Sequence, residues 1–342
     1  MRSGNCKSDA LVFSCLYGYN YYQKTGSVSE GDADIRAVHV LSGTKVAIRP
    51  EVSLSKEAGT EKWRSFIEFP ADLHRFLWPV DVVSLDNEEK QLGLAFPVRG
   101  LPKLKPFRTI LYSDQLLDWR KDRIQTLISH LLEAFCSLHA SGYAYHCFDL
   151  DRMYYNPEDL TVLLDFSLSM TKTFGQLRRT ESVPSESVAI EMMPPWHSAS
   201  KVCEMSLADD YYSITVMLFR LMTGRMPYQG RLMDGFGDMM NPLRDTDEGN
   251  HAAMFRHYLS NPIFIFDPGS NVNSIGLLSS EQKFTDRWES LPDRVQNMFR
   301  QALCQKNVEE VPERRRCYSP AKWLKALEQE CFCGNTSGKR EH

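Results

Sequence analysis

The stretch Gly142-Tyr-Ala-Tyr-His-Cys-Phe-Asp-Leu-Asp-Arg-Met-Tyr-Tyr-Asn-Pro-Glu-Asp-Leu-Thr-Val-Leu-Leu-Asp-Phe-Ser167 decides how the chain is read. Ahead of it, Ile124, Leu127, Ile128, Leu131, Leu132, Phe135 and Leu138 recur at three- and four-residue steps. That spacing predicts a helix with one buried face. Gly142, closing Leu138-His-Ala-Ser-Gly142, is a helix stop. Inside the stretch, Met153-Tyr-Tyr155 and Thr161-Val-Leu-Leu164 are apolar runs separated by Asn156-Pro-Glu-Asp159. A turn composition between two such runs predicts a hairpin. The second run delivers Asp165-Phe-Ser167.

Helix, polar loop, hairpin and Asp-Phe-small, in that order, resemble the catalytic segment of eukaryotic-like protein kinases. In that family the helix ends in Leu-His-x-x-Gly. A His-Arg-Asp-Leu-x-x-x-x-Asn loop, a hairpin and Asp-Phe-Gly follow. The resemblance implies a catalytic-base Asp eighteen residues before Asp165, and that position is Cys147. The motif then reads Tyr145-His146-Cys147, and the metal-binding Asn becomes Arg152. A hairpin shorter by two residues makes Asp149 the base and puts Tyr154 at the Asn position. A third register pairs Asp151 with Asn156. Asp165 is the candidate Mg²⁺ ligand in all three.

Two further segments carry the resemblance. Asp209-Asp-Tyr-Tyr-Ser-Ile-Thr-Val-Met-Leu-Phe-Arg-Leu-Met-Thr-Gly224 is apolar on nearly every side, which predicts a buried helix. It is similar to the family's Asp-x-Trp/Tyr-Ser helix, whose Asp, here Asp210, holds the backbone of the catalytic loop. Met226-Pro-Tyr-Gln-Gly230 is like the Pro-Phe-x-Gly found after it. Asn261-Pro-Ile-Phe-Ile-Phe-Asp-Pro268 looks like a bacterial branch of the family. Leu291–Leu303 and Ser319–Leu327 predict two closing helices, the second with a Ser cap and Pro at its first position. The resemblance implies an α+β, bilobal protein-kinase-like fold, with a small, mainly β N-lobe over residues 25–100 and a larger, mainly α C-lobe over 101–330. Residues 1–24 are unassigned and 331–342 form a polar tail.

Ahead of the stretch, Ile35–Leu41, a Ser42-Gly-Thr44 turn and Lys45–Arg49 predict a hairpin. Phe76–Val83 and Gln91–Pro97 predict two more strands. Val46-Ala-Ile-Arg49 resembles the family's Val-Ala-Ile-Lys, whose Lys clamps the nucleotide phosphates and pairs with a Glu on the next helix. Here the residue is Arg49, and Glu68, nineteen residues on, is its partner candidate. A guanidinium is larger, planar and always charged, so it does not replace an ammonium in a tight pocket. Of the family's phosphate-cradling glycines only Gly31 remains, flanked by Glu30, Asp32 and Asp34. Each of those carboxylates would repel a triphosphate by about 1 kcal/mol in a water-like dielectric. Ser/Thr-rich Arg178–Ser187 holds the activation-segment position. Met193-Pro194-Pro195 replaces the family's Ala-Pro-Glu, removing the Glu expected to meet Arg314-Arg-Arg316.

The 342 residues, 42% hydrophobic and 25% charged, suit one large two-lobed domain or two small ones. A net charge of −4 offers no basic field for nucleic acid. No apolar run reaches the ~18 residues of a membrane span. The short run Ala10–Leu16 is read as ordinary chain. Nine scattered cysteines predict reduced thiols in a cytoplasmic compartment. The resemblance keeps the layout of a kinase and loses its chemistry. It therefore implies a pseudokinase: a binding or allosteric module for a protein partner such as an active kinase, with ATP and Mg²⁺ binding weak or lost. The alternative is an atypical Ser/Thr kinase with Asp149 as base and Asp165 on Mg²⁺.

Overall fold

The computed structural model describes residues 11–27, 34–51, 63–72, 74–85, 91–98, 104–146, 148–166, 170–173, 181–184, 192–197, 202–233, 259, 262–304 and 317–332. The chain divides into two compact units, Met1–Pro102 and Lys103–His342.

The first unit contains strands β1 (Leu11–Ser14), β2 (Tyr21–Ser27), β3 (Ile35–His39), β4 (Lys45–Glu51), β5 (Phe76–Leu77), β6 (Asp81–Ser84) and β7 (Leu92–Pro97). β1, β2, β3, β4, β7 and β6 follow one another around a closed barrel in which every pairing is antiparallel. This corrects the expected fold class. A bilobal protein-kinase-like fold has an open sheet in its small lobe, and this sheet has no open edge. Closure comes from residues left unassigned by sequence reading: β1 pairs with β2 on one side and with β6 on the other. Its alternation was legible in retrospect. Leu11 and Phe13 are 49% and 43% exposed while Val12 is 0%, the two-residue period of a strand with one buried face. Closing a sheet satisfies the donors and acceptors that an edge leaves open.

The β3–β4 hairpin forms with Ile35 opposite Ile48, and Gly43 adopts φ +69° in its turn, a conformation that costs glycine little. Val12, Tyr22, Ala37, Val46, Ile48, Val83 and Ala95 fill the interior. Residues 63–68 form one short helix, and the Trp78 indole N–H donates to the Phe66 carbonyl at 2.9 Å.

A carboxyl group sits in this interior. Asp81 is fully buried and accepts from the Ser14 hydroxyl (2.7 Å), the Tyr22 hydroxyl (2.9 Å) and the Val82 amide (2.8 Å). Burial pushes its carboxyl above the usual range and outweighs these hydrogen bonds, which pull it down. A raised folded-state pKa means that the acid form is the one the fold favours. Its contribution is complete below about pH 4, the unfolded value, and is lost as pH rises through the folded value. The stability gap between wild type and Asp81→Asn is therefore expected to narrow as pH rises from that point. Urea denaturation across a pH series measures it, and a gap that widens with pH would contradict the assignment.

The second unit contains β8 (Lys105–Pro106), β9 (Tyr143–Ala144), β10 (Met153–Tyr155), β11 (Val162–Asp165), β12 (Thr171–Lys172), β13 (Glu181–Pro184) and β14 (Val202–Met205). Its helices are α1 (Phe107–Leu111), α2 (Lys121–Ala140), α3 (Leu207–Thr223), α4 (Gln282–Glu289), α5 (Asp293–Leu303) and α6 (Pro320–Leu327). Helix α3 is buried on almost every side, as its composition predicts. The Ser206 backbone N–H donates to the Asp209 carboxylate at 2.6 Å, closing its first turn, and Gly224 ends it at φ +84°. An aromatic cluster locks the closing helices against it. Phe219 meets Phe299 at 5.3 Å, Trp288 stacks on Phe266 at 4.5 Å, and the Trp323 indole donates to the Thr215 hydroxyl at 3.3 Å. Glu328–Phe332 continue α6 as a π-helical turn, and the tail after 332 lies outside the described residues. Among the described residues no helix is long and apolar enough to cross a membrane.

Candidate functional site

Strands β10 and β11 pair with Met153 opposite Leu164 and Tyr155 opposite Val162. The turn between them is held by Asn156, whose carbonyl accepts the Leu160 amide at 2.8 Å and whose side chain accepts the Glu158 amide at 3.0 Å. One step beyond the paired residues, the Asp165 amide donates to the Arg152 carbonyl at 3.0 Å. This register brings the two side chains together. Arg152 Nε lies 3.6 Å from Asp165 Oδ2, with the carboxylate fully buried and the guanidinium about one-third exposed. The Tyr145 hydroxyl donates to the Asp165 carbonyl at 3.0 Å and so holds the same turn from beneath.

The loop before the hairpin is anchored from α3. Asp210 is fully buried, and its carboxylate accepts the Tyr145 amide at 2.6 Å and the His146 amide at 2.8 Å. His139, near the end of α2, places Nε2 3.0 Å from the same carboxylate. His146 is held at φ +63°, a region that few non-glycine residues occupy. Its Nε2 lies 2.7 Å from the Thr171 hydroxyl on β12, the strand that pairs with β9. Three segments far apart in sequence therefore fix one loop: the end of α2, the start of α3, and β12.

The remaining candidates fall as follows. Asp149 is half-buried, and its carboxylate accepts the Asp151 amide at 2.9 Å, a local turn contact. Asp151 is exposed and pairs with Arg108 at 2.9 Å. Arg49 lies in the first unit, 3.7 Å from Asp34, with its guanidinium over the Phe96 ring at 4.7 Å. Stacking of this kind suits a planar cation. Glu68 is exposed. Gly31, Cys147, Arg178–Thr180 and Arg314–Arg316 lie outside the described residues. Sequence reading put Arg152 at a metal-ligand position but did not foresee its pairing with Asp165. Only the strand register reveals that.

The arrangement is a poor fit to Mg²⁺. That ion takes close, near-octahedral oxygen ligands. Asp165 offers one carboxylate, and the neighbouring position carries a guanidinium, which has donors only and a charge of the same sign as the metal. Among the described residues no cluster of three or more His, Cys, Asp or Glu is placed to hold a metal. A scan against protein-family models finds no match to this chain, and neither does a search of curated proteins.

Proposed function

We propose that this chain is a pseudokinase, a relative of protein kinases that binds a protein partner and does not transfer phosphate. The reading rests on the Arg152–Asp165 pair: the carboxylate that would hold Mg²⁺ in an active kinase is engaged by an internal cation at 3.6 Å. A group so occupied has its charge compensated by the chain itself. The loop around it is nonetheless tightly held, by Asp210 on two amides and by Thr171 on His146. A rigid loop without metal chemistry suits recognition better than turnover. The partner we favour is a protein, an active kinase being the foremost candidate. We read the compartment as cytoplasmic from the nine scattered cysteines.

A thermal-shift titration with ATP, with and without Mg²⁺ or Mn²⁺, tests this. Binding to the native state raises the melting temperature by mass action, so even a millimolar ligand registers. The wild type is expected to show no metal-dependent shift. Arg152→Asn removes the cation and supplies an oxygen ligand, and it is expected to acquire one. A metal-dependent shift in the wild type, with phosphate transfer that Asp165→Asn abolishes, would overturn the reading in favour of the Asp149-based Ser/Thr kinase.

A further inference from the structure

A cavity lies elsewhere in the second unit, at the opposite ends of α2 and α3 from His139 and Asp210. Trp119, Ile124, Ile128, Met222, Leu291 and Leu327 wall a cavity of about 250 Å³ between α2, the end of α3, the α4–α5 corner and α6. Lys121, Gln125, Arg287 and Ser290 supply its polar lining, which among the described residues includes two cations and no carboxylate.

The two cations differ in kind. Arg287 is half-buried on α4. Its Nη2 donates to the carbonyls of Leu116 (3.1 Å) and Leu117 (2.6 Å), while its buried Nη1 has no hydrogen-bond partner among the described residues. Burial pulls its pKa down, and the nearby Asp118 carboxylate opposes that shift. Lys121, at the first position of α2, is exposed at the rim. An apolar chamber with convergent polar groups at one side is the usual form of a small-molecule site. Two cations in the described lining favour an anion on that side.

We infer that this cavity binds a small amphipathic carboxylic acid, its apolar body among Ile124, Ile128, Met222, Leu291 and Leu327 and its carboxylate between Arg287 and Lys121. The site is separate from the Asp165 loop and independent of the pseudokinase reading. Its volume suits a compact acid of the size of 4-phenylbutyrate better than a drug-sized molecule.

Calorimetric titration of the full chain with 4-phenylbutyrate and with its neutral amide, 4-phenylbutyramide, tests the inference. The acid is expected to bind at least about tenfold more tightly than the amide, the difference a charge-assisted hydrogen bond makes. Two exposed positions allow variants that spare the fold. Ser290→Trp puts a bulky ring into the cavity mouth and is expected to abolish binding of both ligands. Lys121→Glu suits the positive end of a helix dipole, and it is expected to weaken the acid by about tenfold while leaving the amide unchanged. Arg287 is left in place because it also holds the Leu116 and Leu117 carbonyls. No binding of the acid up to about 10 mM, equal affinity for acid and amide, or unchanged acid binding in either variant would each overturn the inference.

Discussion

Asp210→Ala is expected to destabilise the second unit by about 3–5 kcal/mol, the range measured when one partner of a buried charged network is removed. Two backbone amides, those of Tyr145 and His146, donate to this carboxylate at 2.6 and 2.8 Å, and His139 Nε2 lies 3.0 Å away. The carboxylate is fully buried, so truncation removes the acceptor these groups share. Each orphaned amide then carries a desolvation cost of about 1–3 kcal/mol. The loop also loses the clamp that helps hold His146 at φ +63°, a conformation worth about 1–2 kcal/mol to relax. Asp210→Asn keeps one acceptor oxygen and loses the other, so its cost is expected to be about half as large. Urea denaturation followed by tryptophan fluorescence gives both values. A loss below about 1 kcal/mol in Asp210→Ala would show that the two amides find other acceptors.

Gly230→Ala is the second large effect, expected to cost about 3 kcal/mol. A Cβ built at this position would lie 1.9 Å from the Asn273 carbonyl oxygen and 2.7 Å from its side-chain oxygen. Neither can step aside cheaply. Asn273 is buried, and its amide nitrogen donates to the carbonyls of Tyr228 (2.9 Å) and Ile263 (2.7 Å). Its side-chain oxygen accepts the Leu232 amide at 3.0 Å. One methyl group must therefore displace a residue that joins three segments. Comparison with Ser274→Ala, which trims a hydroxyl bonded to the Asn271 carbonyl on the half-buried neighbour, separates the clash from general loop sensitivity. That control is expected to change stability by less than about 0.5 kcal/mol. Equal effects in the two variants would refute the close-approach argument.

Much of the second unit was legible because its signals are local. The three- and four-residue steps of Ile124–Leu138 became α2, and the all-round apolar character of the Asp209–Gly224 segment became the buried α3. Asn156-Pro-Glu-Asp159 became the hairpin turn, and Ser319-Pro became a capped helix start in which the Ser319 hydroxyl accepts the Lys322 amide. The kinase-derived role of Asp210 also has a geometric counterpart in its grip on the Tyr145 and His146 amides.

The first unit was misjudged where long-range pairing decides the outcome. The strands β3, β4, β6 and β7 could be read one at a time, but β1 and β2 were not read, nor was the closing of the sheet. Closure depends on β1 meeting β6, residues some seventy positions apart, an encounter that no local pattern encodes.

By itself, then, the sequence determined the helical faces of the second unit, its hairpin and its caps. Each follows from residue type and short-range spacing. The tertiary structure alone decided the closure of the barrel, the burial of Asp81 among Ser14 and Tyr22, the pairing of Arg152 with Asp165, and the cationic lining of the cavity at Arg287. These depend on which distant segments share a register or a wall. Hydrogen bonding and desolvation act between neighbours in space, whatever their separation along the chain.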